Sequence, residues 1–221
     1  MTFSPRHSPK EPEWSIARQR MVTEQLEQRG ITDPLVLRAM LDVPRHHFVP
    51  GHYRSQSYED HPLPIGHGQT ISQPYIVAHM SQALRLRGDE TVLEVGTGSG
   101  YQAAVLSRLA KRVYTIEILQ ALAMSATQVL QRLGYDNIEV RVGDGHQGWA
   151  EASPFDAILV ACAPNEIPYP LVEQLREGGR LAIPIGSGDD QTLYIFRKQD
   201  SELVQEITMP VRFVPMTRNR S

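Results

Sequence analysis

The strongest constraint on this chain begins at Thr91. TVLEVGTGSGYQAAVLSRLA opens with an apolar run of strand length, turns through Gly96, Gly98 and Gly100, and continues in a helical pattern. A strand that runs through a glycine turn into a helix sends the chain back over the sheet to start the next strand in parallel. The unit recurs. RVYTIEI reads as a strand, Leu119–Leu133 as an amphipathic helix closed by Gly134, and NIEVRVGD and FDAILVACA as further strands. A helix over Pro170–Arg176, stopped by Gly178 and Gly179, precedes the strands RLAIPIG, TLYIFRK and VQEITMPVRFVP. Near-continuous apolar strands alternating with helices predict an α/β fold: a doubly wound, mostly parallel sheet covered on both faces. No helix separates the last strands, so one of them is expected to be antiparallel at or near an edge.

The 221 residues suit one domain. Before the sheet, Ser15 is placed to cap a first helix with Ile16, Val22 and Leu26 as its stripe, ending at Gly30. Thr32 or Asp33 can cap a second, with Pro34 in its first turn and Pro44 as its stop. Residues 1–13, rich in Pro, Ser and charge, read as a disordered tail without a signal-type apolar stretch. A third helix, YIVAHMSQALRL, carries Ile76, Met80 and Leu84 at helical spacing. A net charge of −3 argues against a dedicated nucleic-acid surface. No segment is long enough to span a membrane. A single cysteine, Cys162, rules out an intrachain disulfide, suits a reducing compartment such as the cytoplasm, and lies in an apolar run that makes it a buried structural thiol. No histidine pair has ligand spacing such as H-E-x-x-H, so no metal is expected.

In a doubly wound sheet the ligand lies beyond the carboxyl ends of the strands. Three such ends carry chemistry here. Gly96, Thr97, Gly98, Ser99 and Gly100 form a G-x-G-x-G loop, and Tyr101 stands where the dinucleotide fingerprint has its third glycine. That departure disfavours a dehydrogenase, and Glu94 just before the loop suits a cation or zwitterion better than a pyrophosphate. Glu117 ends the second strand, where a carboxylate accepts from both ribose hydroxyls. Asp144 ends the third and can accept from an adenine amino group, with Gly145 leaving room for the ring. Adenosine bearing a positively charged, non-phosphorylated group fits all three, and S-adenosyl-L-methionine is such a molecule.

The segment GHGQTISQP, Gly66–Pro74, offers hydroxyls and amides but no acid, lysine, arginine or cysteine. Together with YEDHPLPI before it and YIVAHM after it, and with VLEVGTGSGYQAAVLSRLA, VGDGHQGW, APNEIP, LREGGRLAIPIG and VRFVP, it resembles the protein-L-isoaspartate O-methyltransferases. The resemblance runs from about Ile16 to Val214. The glycine loop belongs to many methyltransferases, whereas LPIGHGQTISQP is far more specific. The resemblance implies a Rossmann-like methyltransferase fold. It implies methyl transfer from S-adenosyl-L-methionine to the free carboxylate of L-isoaspartyl residues in damaged proteins and peptides, leaving S-adenosyl-L-homocysteine. The methyl ester then closes to a succinimide that reopens partly to aspartate.

Position by position, the resemblance implies Ser72 as the active-site serine with Thr70 beside it. For the cofactor it implies Thr97, Glu117, Ile118, Asp144 and Gly145 together with Pro74, Tyr75, Ile76 and Val77, and it brings Thr217 near the site. It also implies an unusual order for the last strands. The chain departs from the family at Cys162, usually a smaller residue, and before Glu13, where nothing matches. The resulting division is a tail over 1–13 and one methyltransferase domain over 14–221: a helical lobe (14–57), an active-site loop (58–75), a cofactor-binding core (76–200) and a C-terminal strand (201–217). The chain is expected to act as a monomer. The competing readings are another methyltransferase acting on a small molecule or RNA, and a non-catalytic cofactor-binding adaptor.

The chemistry suits the loop. An isoaspartyl carboxyl with an ordinary pKa of about 4 is ionised at pH 7 and needs no base. What remains is alignment by hydroxyl donors. Ser72 has a rival role as N-cap of the following helix. Asp60 is a candidate brace, Gln69 and Gln73 candidate backbone holders, His67 a loop residue, Arg212 a solvated strand arginine, and His146 and Trp149 pocket walls.

Overall fold

The structure, a computed structural model, describes residues 11–218. Helix α1 (Glu11–Arg20) passes without a break into a π-helical turn (Met21–Leu26) and a 3₁₀ turn (Glu27–Arg29), and Gly30 ends it at φ +88°. The helix thus starts ahead of Ser15, which is no cap. Trp14 supplies the reason: it is buried and stacked on His46 at 4.7 Å, so the chain is already committed to the core there. Of the expected tail, residues 1–10 lie outside the described residues, and Glu11–Glu13 are helical. Helix α2 (Pro34–Asp42) is capped by Asp33, whose carboxylate accepts from Leu35 N–H at 2.9 Å. Two 3₁₀ turns follow, Arg45–Phe48 and Gly51–Gln56.

The expected active-site loop is a β-hairpin: β1 (Leu63–Gly66) pairs antiparallel with β2 (Gln69–Ile71). His67 and Gly68 form its two-residue turn at φ +53° and +72°, the geometry that follows the twist of the strands. Helix α3 (Pro74–Ala83) comes next. Then the alternation begins with β3 (Thr91–Val95), α4 (Tyr101–Leu106), β4 (Arg112–Glu117), α5 (Gln120–Arg132), β5 (Ile138–Val142), β6 (Phe155–Val160), α6 (Tyr169–Gln174), β7 (Leu175–Ser187), β8 (Asp190–Gln199) and β9 (Glu202–Pro210).

The main sheet has the order β5-β4-β3-β6-β7-β8-β9. The first five of these pair in parallel, and β8 runs antiparallel to both neighbours. The antiparallel strand expected near an edge is therefore β8, one place in. Tight turns at Gly188 and at Asp200–Ser201, the latter at φ +53° and +67°, force consecutive pairing of the last three strands. Several boundaries differ from expectation. Helix α6 ends at Gln174, and Gly178 and Gly179 lie inside β7, where a Cβ on Gly179 would stand 2.8 Å from the Asp156 carbonyl. Helix α4 ends at Leu106 rather than Ala110. The last strand stops at Pro210, and residues 211–218 cross the end of the sheet without regular structure.

Alternate strand residues feed two cores, as a pleated sheet covered on both sides requires. Val92, Val113 and Ala157 pack with Met21, Leu26, Met40 and Leu106 on one face. Leu93, Val95, Ile116 and Val160 pack with Trp149, Leu171 and Leu175 on the other. The N-terminal helices are therefore one of the covering layers rather than a separate lobe. Tyr101 ties them down: it is buried, meets Phe48 edge-on at 5.6 Å, and lies beneath the Arg45 guanidinium at 4.7 Å.

Candidate active site

The carboxyl ends of β3, β4 and β6 open on a cleft. Gly96 and Gly98 form one wall, Glu117 and Ile118 another, and Gly145 part of the floor. Glu117 is held from two sides. Its Oε2 accepts from Gly98 N–H at 2.8 Å and its Oε1 from Leu119 N–H at 3.0 Å. Each oxygen retains a further lone pair, so the carboxylate is oriented and still able to accept two hydroxyls of a ribose. The apolar side chains of Val95, Ile116, Leu119 and Met216 complete the walls, and this donor set fits an uncharged base and sugar.

Glu94 does not line the cleft. Its carboxyl is fully buried beneath the glycine loop, and burial pushes its pKa up to about 8. It is mostly neutral at pH 7, so the expectation that a charged Glu94 gives the loop its preference for cations is corrected. The acid that faces the cleft is Glu117. Asp144 is not among the residues that line the cleft, although Gly145 beside it is; its Oδ1 accepts from His146 N–H at 2.9 Å and sits 3.0 Å from His146 Nδ1. Gly145 lines the cleft as expected, and packing also asks for glycine there: a Cβ would stand 2.3 Å from Val95 Cγ1.

A second recess adjoins the cleft beneath the hairpin. Thr70, Ser72, Ile76 and Val77 line it on one side, and Thr97 and Ser99 on the other. An outer groove then runs from Arg29 and Tyr75, past Ser72, to Met209–Val214. Thr70 and Ala161 border the cleft, the recess and the groove alike, so the three spaces meet at that pair. Pro74 is buried at the helix start, and Tyr75 faces the groove rather than the cleft.

The N-cap of α3 is Gln73, without a side-chain cap bond, so Ser72 is not the cap. Among the described residues neither the Ser72 nor the Thr70 hydroxyl has a protein partner, and Gln69 and Gln73 hold no backbone. The helix end offers few free N–H groups. Pro74 has no N–H, Tyr75 N–H donates to Asp60 Oδ1 at 3.1 Å, and Val77 N–H donates to the Gln73 carbonyl at 3.3 Å. Ile76 N–H is left for a ligand. Asp60 is a brace as expected: its other oxygen pairs with Arg29, whose guanidinium lies 3.7 Å over the Tyr75 ring.

Thr217 lines the cleft as expected, and several further walls escaped the sequence. Val214–Thr217 close the cleft because Ala163 N–H donates to the Val214 carbonyl and Met216 N–H to the Ala163 carbonyl, both at 2.8 Å. Gln191 holds the same segment by accepting from Phe213 N–H at 2.6 Å. Thr217 reaches the cleft by this route. Cys162 also lines it, and burial pushes its thiol up to about 12, so it is a wall and not a nucleophile. Trp149 is buried in the same core cluster as Val95 and Ile116, 5.1 Å from the Tyr114 ring, and does not itself line the cleft. His67 is exposed at the hairpin tip. Arg212 lies past the last strand, exposed and paired with Asp189 at 2.8 Å.

This sheet and this cleft are those of a Rossmann-like, S-adenosyl-L-methionine-dependent methyltransferase. Residues 17–221 match the profile of one family, protein-L-isoaspartate(D-aspartate) O-methyltransferase. The chain belongs to that family. A protein-L-isoaspartate O-methyltransferase of Opitutus terrae is 55% identical over 204 residues, 92% of this chain and 88% of that protein. One of Gloeobacter violaceus is 53% identical over 90% of this chain and 98% of that protein. Among solved structures, a protein-L-isoaspartate O-methyltransferase superposes with a TM-score of 0.83 at 32% identity, over 91% of this chain and 66% of that one. A beta-aspartate methyltransferase of Plasmodium falciparum, in complex with S-adenosyl-L-homocysteine, gives 0.78 at 28% identity, over 91% and 99%.

Proposed function

We propose that Thr70 and Ser72 hold the free carboxylate of an L-isoaspartyl residue while Gly96–Ser99, Glu117, Ile118, Asp144, Gly145 and the start of α3 hold S-adenosyl-L-methionine. The activity is that of a repair methyltransferase acting on isoaspartyl proteins. When bound, the cofactor supplies a methyl group on a sulfonium that leaves as a neutral thioether, so no general acid is needed. The substrate carboxylate is already ionised at pH 7, so no general base is needed either. The protein's work is alignment, bringing the carboxylate oxygen to about 3 Å from the methyl carbon and in line with its bond.

One observation carries this reading. Thr70 stands where cleft and groove meet, Ser72 lines the recess and groove beside it, and both hydroxyls lack protein partners among the described residues. Ser72 is half-buried and Thr70 exposed, so both hydroxyls are within reach of a ligand and free to donate to it. Hydroxyls hold a carboxylate without taking its charge, which keeps the oxygen nucleophilic. Glu117 binds the ribose, and the apolar cleft takes the base.

The finer setting belongs to the same proposal: one catalytic unit over 14–221, acting as a monomer in the cytoplasm on peptides and proteins rather than nucleic acid or membrane. The acidic balance and lone cysteine support it, and no helix among the described residues is long and apolar enough to cross a membrane. The test is transfer of labelled methyl to two peptides identical except for isoaspartate or aspartate at one position. Labelling of the isoaspartyl peptide alone is expected; equal labelling overturns the assignment.

A further inference from the structure

Beyond Pro210 the chain leaves β9 and crosses the end of the sheet as a strap, residues 211–217. Its first part, Val211, Arg212, Phe213 and Val214, borders the outer groove. Phe213 also reaches the recess. Its second part, from Val214 to Thr217, closes the cleft. One segment outside the regular strands and helices thus supplies a wall to all three spaces of the site.

The β8–β9 ladder runs out where the strap begins, because β8 starts at Asp190, at the tight turn from β7. The last main-chain bond of that ladder runs from Val211 N–H to the Gln191 carbonyl at 3.0 Å. The Gln191 side chain then stands in for the missing strand. Its Oε1 accepts from Phe213 N–H at 2.6 Å, and its Nε2 donates to the Phe213 carbonyl at 3.1 Å. A side-chain amide carries the same donor and acceptor as a peptide group, so it extends the ladder to Phe213. Ala163 takes over with two main-chain bonds, to Val214 and Met216. Among the described residues no other side chain hydrogen-bonds to the strap backbone. The ion pair of Arg212 with Asp189 is exposed at both ends and adds little.

We infer that Gln191 is a positioning residue for both ligands of the methyl transfer. It is buried behind the strap and lines neither the cleft, the recess nor the groove, yet it fixes the wall that they share. This rests on the assignment of the cleft to the cofactor and the groove to the isoaspartyl peptide. Transfer needs the carboxylate oxygen and the methyl carbon held to within about 0.5 Å of their productive geometry. A strap that bounds both partners sets that alignment, and a loose strap weakens the hold on each.

Two substitutions separate the hydrogen bonds from the bulk of the side chain. Gln191→Met keeps length and apolar burial and removes both bonds. Gln191→Glu keeps the shape as well. Its ionised form accepts from Phe213 N–H but sets its other oxygen against the Phe213 carbonyl, so the strap opens. Its protonated form offers one acceptor and one donor, as the amide does, so the strap closes again. The closed strap prefers the protonated acid and raises its pKa. Closure in this variant is therefore present at low pH and lost as pH rises through the raised value.

The experiment has three readouts: steady-state kinetics on an isoaspartyl peptide, calorimetric affinity for S-adenosyl-L-methionine, and trypsin cleavage after Arg212 in the ligand-free protein at pH 8. Gln191→Met is expected to weaken both peptide KM and cofactor affinity. It is also expected to be cut after Arg212 about 5- to 150-fold faster than the wild type, the range for two net hydrogen bonds when cleavage follows the open population. From pH 8 to pH 5, kcat/KM of Gln191→Glu relative to the wild type is expected to rise about fivefold or more, while that of Gln191→Met stays flat. Wild-type constants for both ligands with wild-type cleavage in Gln191→Met overturn the inference. So does a glutamate variant without acid rescue, and that comparison decides the matter if the methionine variant does not fold. Absence of transfer by the wild type overturns the functional assignment instead, and the trypsin rates still report whether Gln191 holds the strap.

Discussion

Gly145→Ala separates two reasons for a glycine at the floor of the cleft. The backbone there is not at positive φ, so alanine is permitted by conformation. The obstacle is Val95: the new Cβ would stand 2.3 Å from Val95 Cγ1 and 3.2 Å from Met216 Cε. Carbon atoms sit comfortably at about 3.5–4.0 Å, so one side must give by about 1 Å. Met216 is the end of a flexible side chain and can move. Val95 cannot move easily, because it is buried on a strand paired on both sides. Overpacking of this kind costs about 1–3 kcal/mol. For a chain of this size that lowers Tm by roughly 2–12 °C, at about 2–4 °C per kcal/mol. The diagnostic partner is Val95→Ala, which alone costs about 2 kcal/mol for the buried methyls it removes. In the double variant the methyl added at position 145 occupies the space left by Cγ1. The pair is then expected to be about 1–2 kcal/mol more stable than the sum of the singles. Thermal melts of the four proteins, with calorimetric cofactor titrations beside them, decide the matter. An unchanged melt with loss of cofactor affinity only, or strict additivity in the double variant, refutes the packing argument and restores the view that the glycine leaves room for the adenine.

Two further substitutions probe the site. Ser72→Ala removes one hydrogen bond to a charged group, about 1.5–3 kcal/mol, so steady-state assays on an isoaspartyl peptide should show kcat/KM about 10- to 150-fold lower. Cofactor affinity should be unchanged, and unchanged turnover would remove Ser72 from the reaction. Glu117→Ala removes an oriented acceptor for the ribose and the partner of Gly98 N–H, so cofactor affinity measured by calorimetry should fall about 10- to 100-fold. Equal affinity in the variant and the wild type would overturn the ribose assignment.

Much of the architecture was legible because it rests on local signals. The Thr91–Val95 strand, the glycine turn and the following helix are written in adjacent residues, and so are the Asp33 cap and the Gly30 and Gly134 stops. The signals that failed were those whose meaning depends on a distant neighbour. Ser15 looks like a cap, but the burial of Trp14 against His46 starts the helix earlier. Gly178 and Gly179 look like a helix stop, but Gly179 serves the close approach of β7 to the Asp156 carbonyl. Trp149 follows an adenine-site motif, yet it is buried against the Tyr114 ring and does not line the cleft.

By itself the sequence determined the parallel sheet, its helices and the strand-end acids, since each follows from composition and spacing along a few residues, while the role of the hydroxyl pair came from the family resemblance and the hairpin that carries it was read as a loop. Only the tertiary structure decided what those groups can do. It buried Glu94 and left Glu117 facing the cleft, although the two are both strand acids near one loop. It gave the cap position of α3 to Gln73 and so left Ser72 free. It also brought Val214–Thr217 across the sheet to close the cleft. The physical reason is the same in each case. Solvent access and hydrogen-bond partners are set by what lies across space, and a carboxyl or hydroxyl takes its chemistry from those two quantities.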